Sequence, residues 1–129
     1  MFIEENISKN TEVRESEIEG KGLFATKDIE KGEIILDWSF SDSWYKMKWE
    51  DLREDQIRKN WYYGDEEECW TIDKMSQFSY VNHSRNPNMI VDFPNKKTFA
   101  ARDIKEGEEI MFDYRTEQRP GRKDFPKWI

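Results

Sequence analysis

A single cysteine, Cys69, and a single histidine, His83, are the only thiol and imidazole in 129 residues. That scarcity excludes disulfides within the chain, tetrahedral zinc sites built from cysteine with or without histidine, and multi-histidine metal centres. No metal is expected, so any catalysis must run on tyrosine, carboxylates, backbone groups or a bound cofactor. Long apolar runs are also missing. The longest aliphatic stretch is Ile34-Ile35-Leu36, and Met1-Phe2-Ile3-Glu4-Glu5-Asn6 has neither the basic nor the apolar region of a leader. The expectation is a protein that is neither secreted nor membrane-inserted: intracellular and cytoplasmic, or nuclear in a eukaryotic or viral setting. Positive charge is in deficit, with 21 Lys and Arg against 28 Asp and Glu for a net −7. Such a surface is a poor grip for phosphate backbones, so no direct nucleic-acid binding is expected, and it suits basic partners.

A charged fraction of 38% would suit a disordered chain, but 15% of the residues are aromatic, among them six Trp and eight Phe. Aromatic side chains bury large areas each, which predicts a folded domain with an aromatic-rich core. At this length a single domain is expected.

The sequence repeats itself once. Phe24-Ala25-Thr26-Lys27-Asp28-Ile29-Glu30-Lys31-Gly32-Glu33-Ile34-Ile35 returns 75 positions later as Phe99-Ala100-Ala101-Arg102-Asp103-Ile104-Lys105-Glu106-Gly107-Glu108-Glu109-Ile110, with seven of twelve positions identical. Each copy reads as a strand, a turn whose glycine can take positive φ, and a second strand ending in Asp37-Trp38 or Asp113-Tyr114. The simplest expectation is two similar hairpins, each packing a core strand. Between the copies, Trp49 to Asn60 carries a helical stripe of Trp49, Leu52 and Ile57 and is predicted as the one substantial helix. Asp65-Glu66-Glu67-Glu68 reads as a solvated acidic loop, Cys69 to Asp73 as a strand, and Asn82 to Asn88 as an ordered loop.

Gly20-Lys21-Gly22-Leu23-Phe24-Ala25 fits the letters of a dinucleotide fingerprint. The context does not: Gly32 supplies a turn signal only seven residues after Ala25, and the stretch between has strand character where that fingerprint needs a helix. Two readings are left, an ordinary glycine-rich turn or a turn whose bare backbone approaches an anionic group. Three motifs then occur in order: Gly20-x-Gly22-x-Phe24, Asn82-His83-Ser84-x-x-Pro87-Asn88, and Gly107-Glu108-Glu109-Ile110-x-Phe112-Asp113-Tyr114. With them the chain resembles the SET-domain protein lysine methyltransferases from about Glu17 to Tyr114.

The resemblance implies a mainly β architecture with one or two short helices, a β-clip (SET) fold of several small curved sheets with a C-terminal pseudoknot. Residues 1–114 would form the domain, and 115–129, with five basic and two acidic residues, a tail folded back onto it. It implies S-adenosyl-L-methionine as cofactor, held by Gly20, Lys21, Gly22, Phe24, Asn82 and His83. The apolar end of the tail is expected to pack Trp128 near the adenine, the alternative being that Trp128 fills a remote surface groove. Tyr114 resembles the family's catalytic tyrosine, and Phe112, Trp38 and Tyr80 would line the substrate lysine channel. The bland alternatives are that Asn82 caps a turn, that His83 is structural and that Phe112 is plain core. Many relatives read NHSC and follow the domain with a Cys-rich segment that completes a zinc cluster. Here Arg85 replaces that cysteine and no Cys follows Tyr114, so both losses agree with a zinc-free form. The implied reaction is methyl transfer to the ε-amine of a lysine in a basic, histone-like protein or peptide, by a monomer or a homodimer. The alternatives are a catalytically silent SET-like module that binds cofactor or basic peptide, and a plain β-rich interaction domain.

Overall fold

The computed structural model describes residues 3–17, 20–51, 61–63, 67–92 and 94–113. Among the described residues ten strands run in chain order: β1 (Thr11–Glu15), β2 (Lys21–Ala25), β3 (Ile34–Asp37), β4 (Tyr45–Lys48), β5 (Trp61–Tyr63), β6 (Glu68–Thr71), β7 (Asn82–His83), β8 (Met89–Asp92), β9 (Lys97–Ala100) and β10 (Glu109–Phe112). They form three small sheets of orders β1-β2-β10-β7, β3-β9-β8 and β4-β6-β5. The architecture is the expected one of several small sheets. Two 3-10 turns, Trp49–Asp51 and Gln77–Tyr80, are the helical elements among the described residues. No helix there is long and apolar enough to cross a membrane.

The internal repeat does not fold as two hairpins. β2, which enters the first repeat turn, pairs with β10, which leaves the second, through Glu109↔Phe24 and Ile110↔Leu23. Conversely β3 pairs with β9 through Ile34↔Phe99 and Asp37↔Lys97. The two turns meet at an antiparallel bridge in which Ile29 and Ile104 each donate a backbone N–H to the other's carbonyl at 2.8 Å. Asp28 Oδ1 accepts from Glu106 N and Asp103 Oδ1 from Lys31 N, both at 2.9 Å. Gly32 N donates to Ala100 O at 2.9 Å and Gly107 N to Ala25 O at 2.8 Å. Both glycines sit at φ near +88° or +87°, where an L side chain is strained. Exchange is favoured over self-pairing because the backbone N–H groups of Lys31, Gly32, Glu106 and Gly107 find their acceptors on the other copy, and Ile29 and Ile104, at 2% and 1% exposure, are buried together at the crossing.

Two other segments also differ from the sequence reading. The helix expected over Trp49 to Asn60 begins as the 3-10 turn Trp49–Asp51, and the rest lies outside the described residues. Glu68, read as part of an acidic loop, instead opens β6 and pairs with Lys48. Asp65, Glu66 and the residues from Tyr114 onward, which would carry the pseudoknot crossing and the tail, lie outside the described residues.

The core is aromatic as expected. Trp38 is fully buried, with its ring centroid 5.4 Å from that of Phe78 in an edge arrangement and 6.4 Å from that of Trp44, and Phe78 continues to Phe112 at 6.1 Å. Such pairs add about 0.5–1.5 kcal/mol each beyond the area they bury. Where β3 slips in register against β9, the Leu36 N–H is taken by the side chain of fully buried Thr98, whose Oγ1 accepts at 3.0 Å. Thr98→Val keeps the shape and removes that acceptor, so it should lower stability by about 1–3 kcal/mol in urea unfolding.

Candidate functional site

The residues singled out from sequence converge on β10. Strand alternation sends Ile110 and Phe112 into the core and leaves Glu109 and Met111 on the opposite face. β7 lies parallel to β10 with Met111 opposite Asn82 and Phe112 opposite His83, and Ser84 N donates to Phe112 O at 3.0 Å. On β10's other edge is β2, which carries Gly22 and Phe24. One strand thus joins the Gly20–Phe24 motif to the Asn82-His83 motif.

Asn82 is 2% exposed, and its amide nitrogen donates to Lys21 O at 3.1 Å and to Glu109 Oε2 at 2.8 Å. The other oxygen of Glu109, Oε1, accepts from Ser16 Oγ at 2.7 Å. Gly22 closes over this carboxylate: a Cβ there would run into Glu109 Oε2 and come within 2.9 Å of its Cδ. Gly20, at φ +44°, has nothing within 4 Å of where a Cβ would stand, so its backbone faces open space. The two glycines therefore serve different ends, one making room for a half-buried acid and the other leaving room outside.

The remaining predicted residues divide between this cradle, the core face of β10 and positions outside the described residues. Lys21 directs its Nζ to Glu15 at 3.3 Å, so its carbonyl rather than its ammonium enters the cradle. Phe24 is covered by the Arg14 guanidinium, 4.3 Å from the ring centre. The side chain of His83 is 7% exposed, its Nδ1 3.8 Å from Asp113 Oδ1. On the core face, Phe112 and Trp38 are brought together through Phe78, and Tyr80, 9% exposed, belongs to the same core. Phe78 and Tyr80 come from the turn Gln77–Tyr80, whose N-cap Ser76 forms a reciprocal capping box with Ser79. Tyr114 and Trp128 lie outside the described residues. Among the described residues no three His, Cys, Asp or Glu side chains are grouped to hold a metal ion.

Sequence reasoning missed three supports of the site. Glu109 was within reach, because it puts a charge where the first copy of the repeat has Ile34. Ser16 carries no such signal. Asn88, 1% exposed, stitches the second motif to β10: its Nδ2 donates to Glu109 O at 2.8 Å and its Oδ1 accepts from Met111 N at 2.9 Å. Beside it, burial pushes the Glu108 carboxyl up, but the Lys105 backbone N–H, the Asn88 amide and the Arg102 guanidinium outweigh this and hold it below the usual range.

The SET domain family matches residues 20–115, most of the chain and all three motifs. The chain belongs to the SET-domain family. Among curated relatives, this SET domain is 33% identical over 123 residues to the H3 lysine-36 specific histone-lysine N-methyltransferase of Candida albicans, covering 82% of this chain and 14% of that protein. It is 30% identical over 122 residues to the variant-silencing SET domain-containing protein of Plasmodium falciparum, covering 82% and 5%. It spans between 3% and 29% of the length of the curated relatives it matches. Among solved structures, a Plasmodium falciparum candidate histone methyltransferase superposes with a TM-score of 0.59 at 19% identity, over 84% of this chain and 95% of the other. The Chaetomium thermophilum Polycomb Repressive Complex 2, solved as ctPRC2 bound to S-adenosylmethionine, superposes with a TM-score of 0.61 at 23% identity, over 83% and 15%. These likenesses establish the SET fold for this chain.

Gly22→Ala puts a methyl against a carboxylate that two donors already hold. It should destabilise the SET domain by about 1–3 kcal/mol. Gly20→Ala adds its methyl to open space and should cost only the backbone strain, about 1 kcal/mol. Thermal unfolding of the two variants side by side checks the order.

Proposed function

We propose that this SET domain is an S-adenosylmethionine-dependent methyltransferase acting on the ε-amine of a lysine in a basic protein such as a histone. The observation that carries the reading is the cradle in which the buried Asn82 amide is tied to the Lys21 carbonyl next to the open backbone of Gly20. Family membership and the names of the curated relatives support it. The cradle fits the methionine end of that cofactor: backbone groups and a neutral amide suit an ammonium and a carboxylate, and the acid beneath is already partnered.

When bound, S-adenosylmethionine supplies a methyl group activated by a sulfonium. The chain's own residues bind, orient and exclude water. The Gly20–Gly22 backbone and Asn82 hold the methionine end, and His83, on the next residue of β7, extends the contact toward the adenine. Phe112, beside the Phe78 and Trp38 rings, supplies an apolar wall for the lysine stem. A lysine amine of pKa about 10.4 costs about 4.6 kcal/mol to deprotonate at pH 7. Apolar surroundings and an adjacent cation both lower that cost by disfavouring the charged amine, so water can take the proton and one histidine is enough. The Tyr114 hydroxyl fixes the amine's approach, and alignment supplies most of the acceleration. The net charge of −7 draws in a lysine-rich segment.

Calorimetry should show one S-adenosylmethionine site, and labelled cofactor should transfer methyl to a histone peptide. Tyr114→Phe should keep cofactor affinity and lower turnover by on the order of 10²-fold, the loss of one positioned hydroxyl at the reacting centre. Binding without any turnover in the wild type would leave a cofactor-binding module, and absence of binding would end the reading.

Phenylalanine at position 112 leaves room for an amine that already carries a methyl, so more than one methyl per lysine is expected. Phe112→Tyr adds a hydroxyl that fills that room and should shift products toward monomethyl-lysine. Mass spectrometry of the product peptide would show the change, and an unaltered methylation pattern would remove Phe112 from the channel.

A further inference from the structure

The internal repeat gives the fold two equivalent cross-strand pairs. Phe24 and Phe99 hold the same place in their copies, as do Glu109 and Ile34, so the Phe24–Glu109 pair at the cradle has a counterpart in Phe99–Ile34. The first pair is closed, Phe24 by the Arg14 guanidinium and Glu109 by Ser16 and Asn82. The second is open. Ile34 is 48% exposed, Phe99 is half-buried without joining the core cluster, and Ile90, opposite Phe99 on β8, is 56% exposed. An apolar row of Ile34, Phe99 and Ile90 therefore crosses the outer face of the β3-β9-β8 sheet, and the next row on that face is Asp37, Lys97 and Asp92. That row reads acid, base, acid, with its two acid-bearing strands about 10 Å apart.

At the β3 edge the apolar row opens into a groove of about 390 Å³, lined by Ile34, Ile35, Asp37 and Phe40 and by residues 6–10. Its walls are fixed. Asp37 N donates to Ile7 O at 3.0 Å and Thr26 N to Asn10 O at 2.9 Å, which pins the 6–10 segment at two points. Phe40, 66% exposed, stands on a turn closed by the Ser41 N–H on Trp38 O at 2.9 Å. Asp37 Oδ1 accepts from Ser39 Oγ at 2.6 Å and from Ser39 N at 2.9 Å, and these donors hold its carboxyl below the usual range, so the acid at the groove is ionised at neutral pH.

We propose that this face is a second contact for the lysine-bearing substrate, docking an extended segment that seats one large apolar side chain in the groove and sets basic residues against Asp37 and Asp92. Only the identity of the occupant as substrate rests on the methyltransferase reading. Ile34, Phe40 and Ile90 offer on the order of 300 Å² of open apolar surface, less than half of the roughly 800 Å² per partner that a stable dimer buries, so the face suits a segment and not a second copy. Charge agrees: two chains of net −7 repel one another, while a basic segment is attracted. Lys97 stands between the two acids in register and Lys9 is exposed on the groove's far wall, so the complement of the row is a pair of bases that pass Lys97 on either side. Because the walls are already set, docking orders little of the protein, and the entropic cost falls on the segment.

The probe is a short synthetic peptide with one Phe flanked by arginines and no lysine, which cannot accept a methyl at a lysine amine. Calorimetry should show it binding the full chain, with Phe40→Ser and Asp37→Asn each weakening it at least about tenfold. Asp37→Asn keeps an oxygen for the Ser39 donors and removes only the charge. The same peptide with glutamates for arginines should not bind. In methyl transfer, Phe40→Ser should raise KM for a whole histone at least about fivefold, with kcat and the KM for cofactor and for a short peptide around the same lysine unchanged. Phe40 is exposed, so the variant should unfold at the wild-type temperature. No binding of the arginine peptide, equal binding of the glutamate peptide, or binding that Phe40→Ser leaves intact would each overturn the docking face. So would light scattering that shows a wild-type dimer dissolved by Phe40→Ser. A whole-histone KM unmoved in a variant that has lost the peptide would overturn the substrate as occupant. Wild type that transfers no methyl would overturn the methyltransferase reading, and the substrate as occupant with it, while the arginine peptide still decides the docking face by itself.

Discussion

Ile29 and Ile104 exchange a pair of backbone hydrogen bonds across the centre of the molecule, and each of their turns completes its polar groups with an aspartate from the other copy. Held in this way, neither copy of the repeat can close on itself. The strand entering one turn is delivered to the strand leaving the other, which sets β10 beside β2 and β9 beside β3. β10 is then left with one free edge, and β7 takes it in parallel. The meeting of the first and second motifs follows from that edge, since neither motif touches the other through local sequence.

What the crossing places on β10 is decided by alternation. One face of the strand is polar and half-buried around Glu109, while the other is aromatic around Phe112. Each face obeys its own rule: carboxylate and amide groups withdrawn from water must find donors and acceptors, and buried rings must find other rings. Ser16, Asn82 and Lys21 satisfy the first, and Phe78, Trp38 and Trp44 the second. In the proposed reaction the polar face receives the cofactor and the aromatic face supplies the wall for the lysine stem, so both requirements are met within four residues of one strand.

The chain occupies only a small part of the curated relatives that it resembles, so the comparison concerns a domain and not those proteins' wider assemblies. Within that domain the three sequence motifs supply residues that build the cradle. Asn88 illustrates this: as part of the second motif it reads as a turn former, yet in the structure it pairs with the backbone of β10 on both sides of Ile110. Its place in the motif reflects the stitching of two segments that sit 20 or more residues apart.

Much of the fold was legible before the structure. Composition pointed to an aromatic-rich core, the repeat marked both turns by their glycines, and three motifs in order carried the family resemblance. Asn82 and Phe112 were legible as candidates because their motifs are local. The pairing partners were not, because a hairpin and an exchanged pair of strands have the same alternation and the same turn residues. Only the reciprocal hydrogen bonds of Asp28, Asp103, Ile29 and Ile104 distinguish them, and those join residues more than 70 positions apart. The same holds at the site. The sequence by itself determined which residue types were available and where the chain would turn. Only the tertiary structure decided that Gly22 makes room for Glu109 and that Glu109 holds Asn82, because a missing Cβ acquires meaning only from the atom that another strand brings into its place.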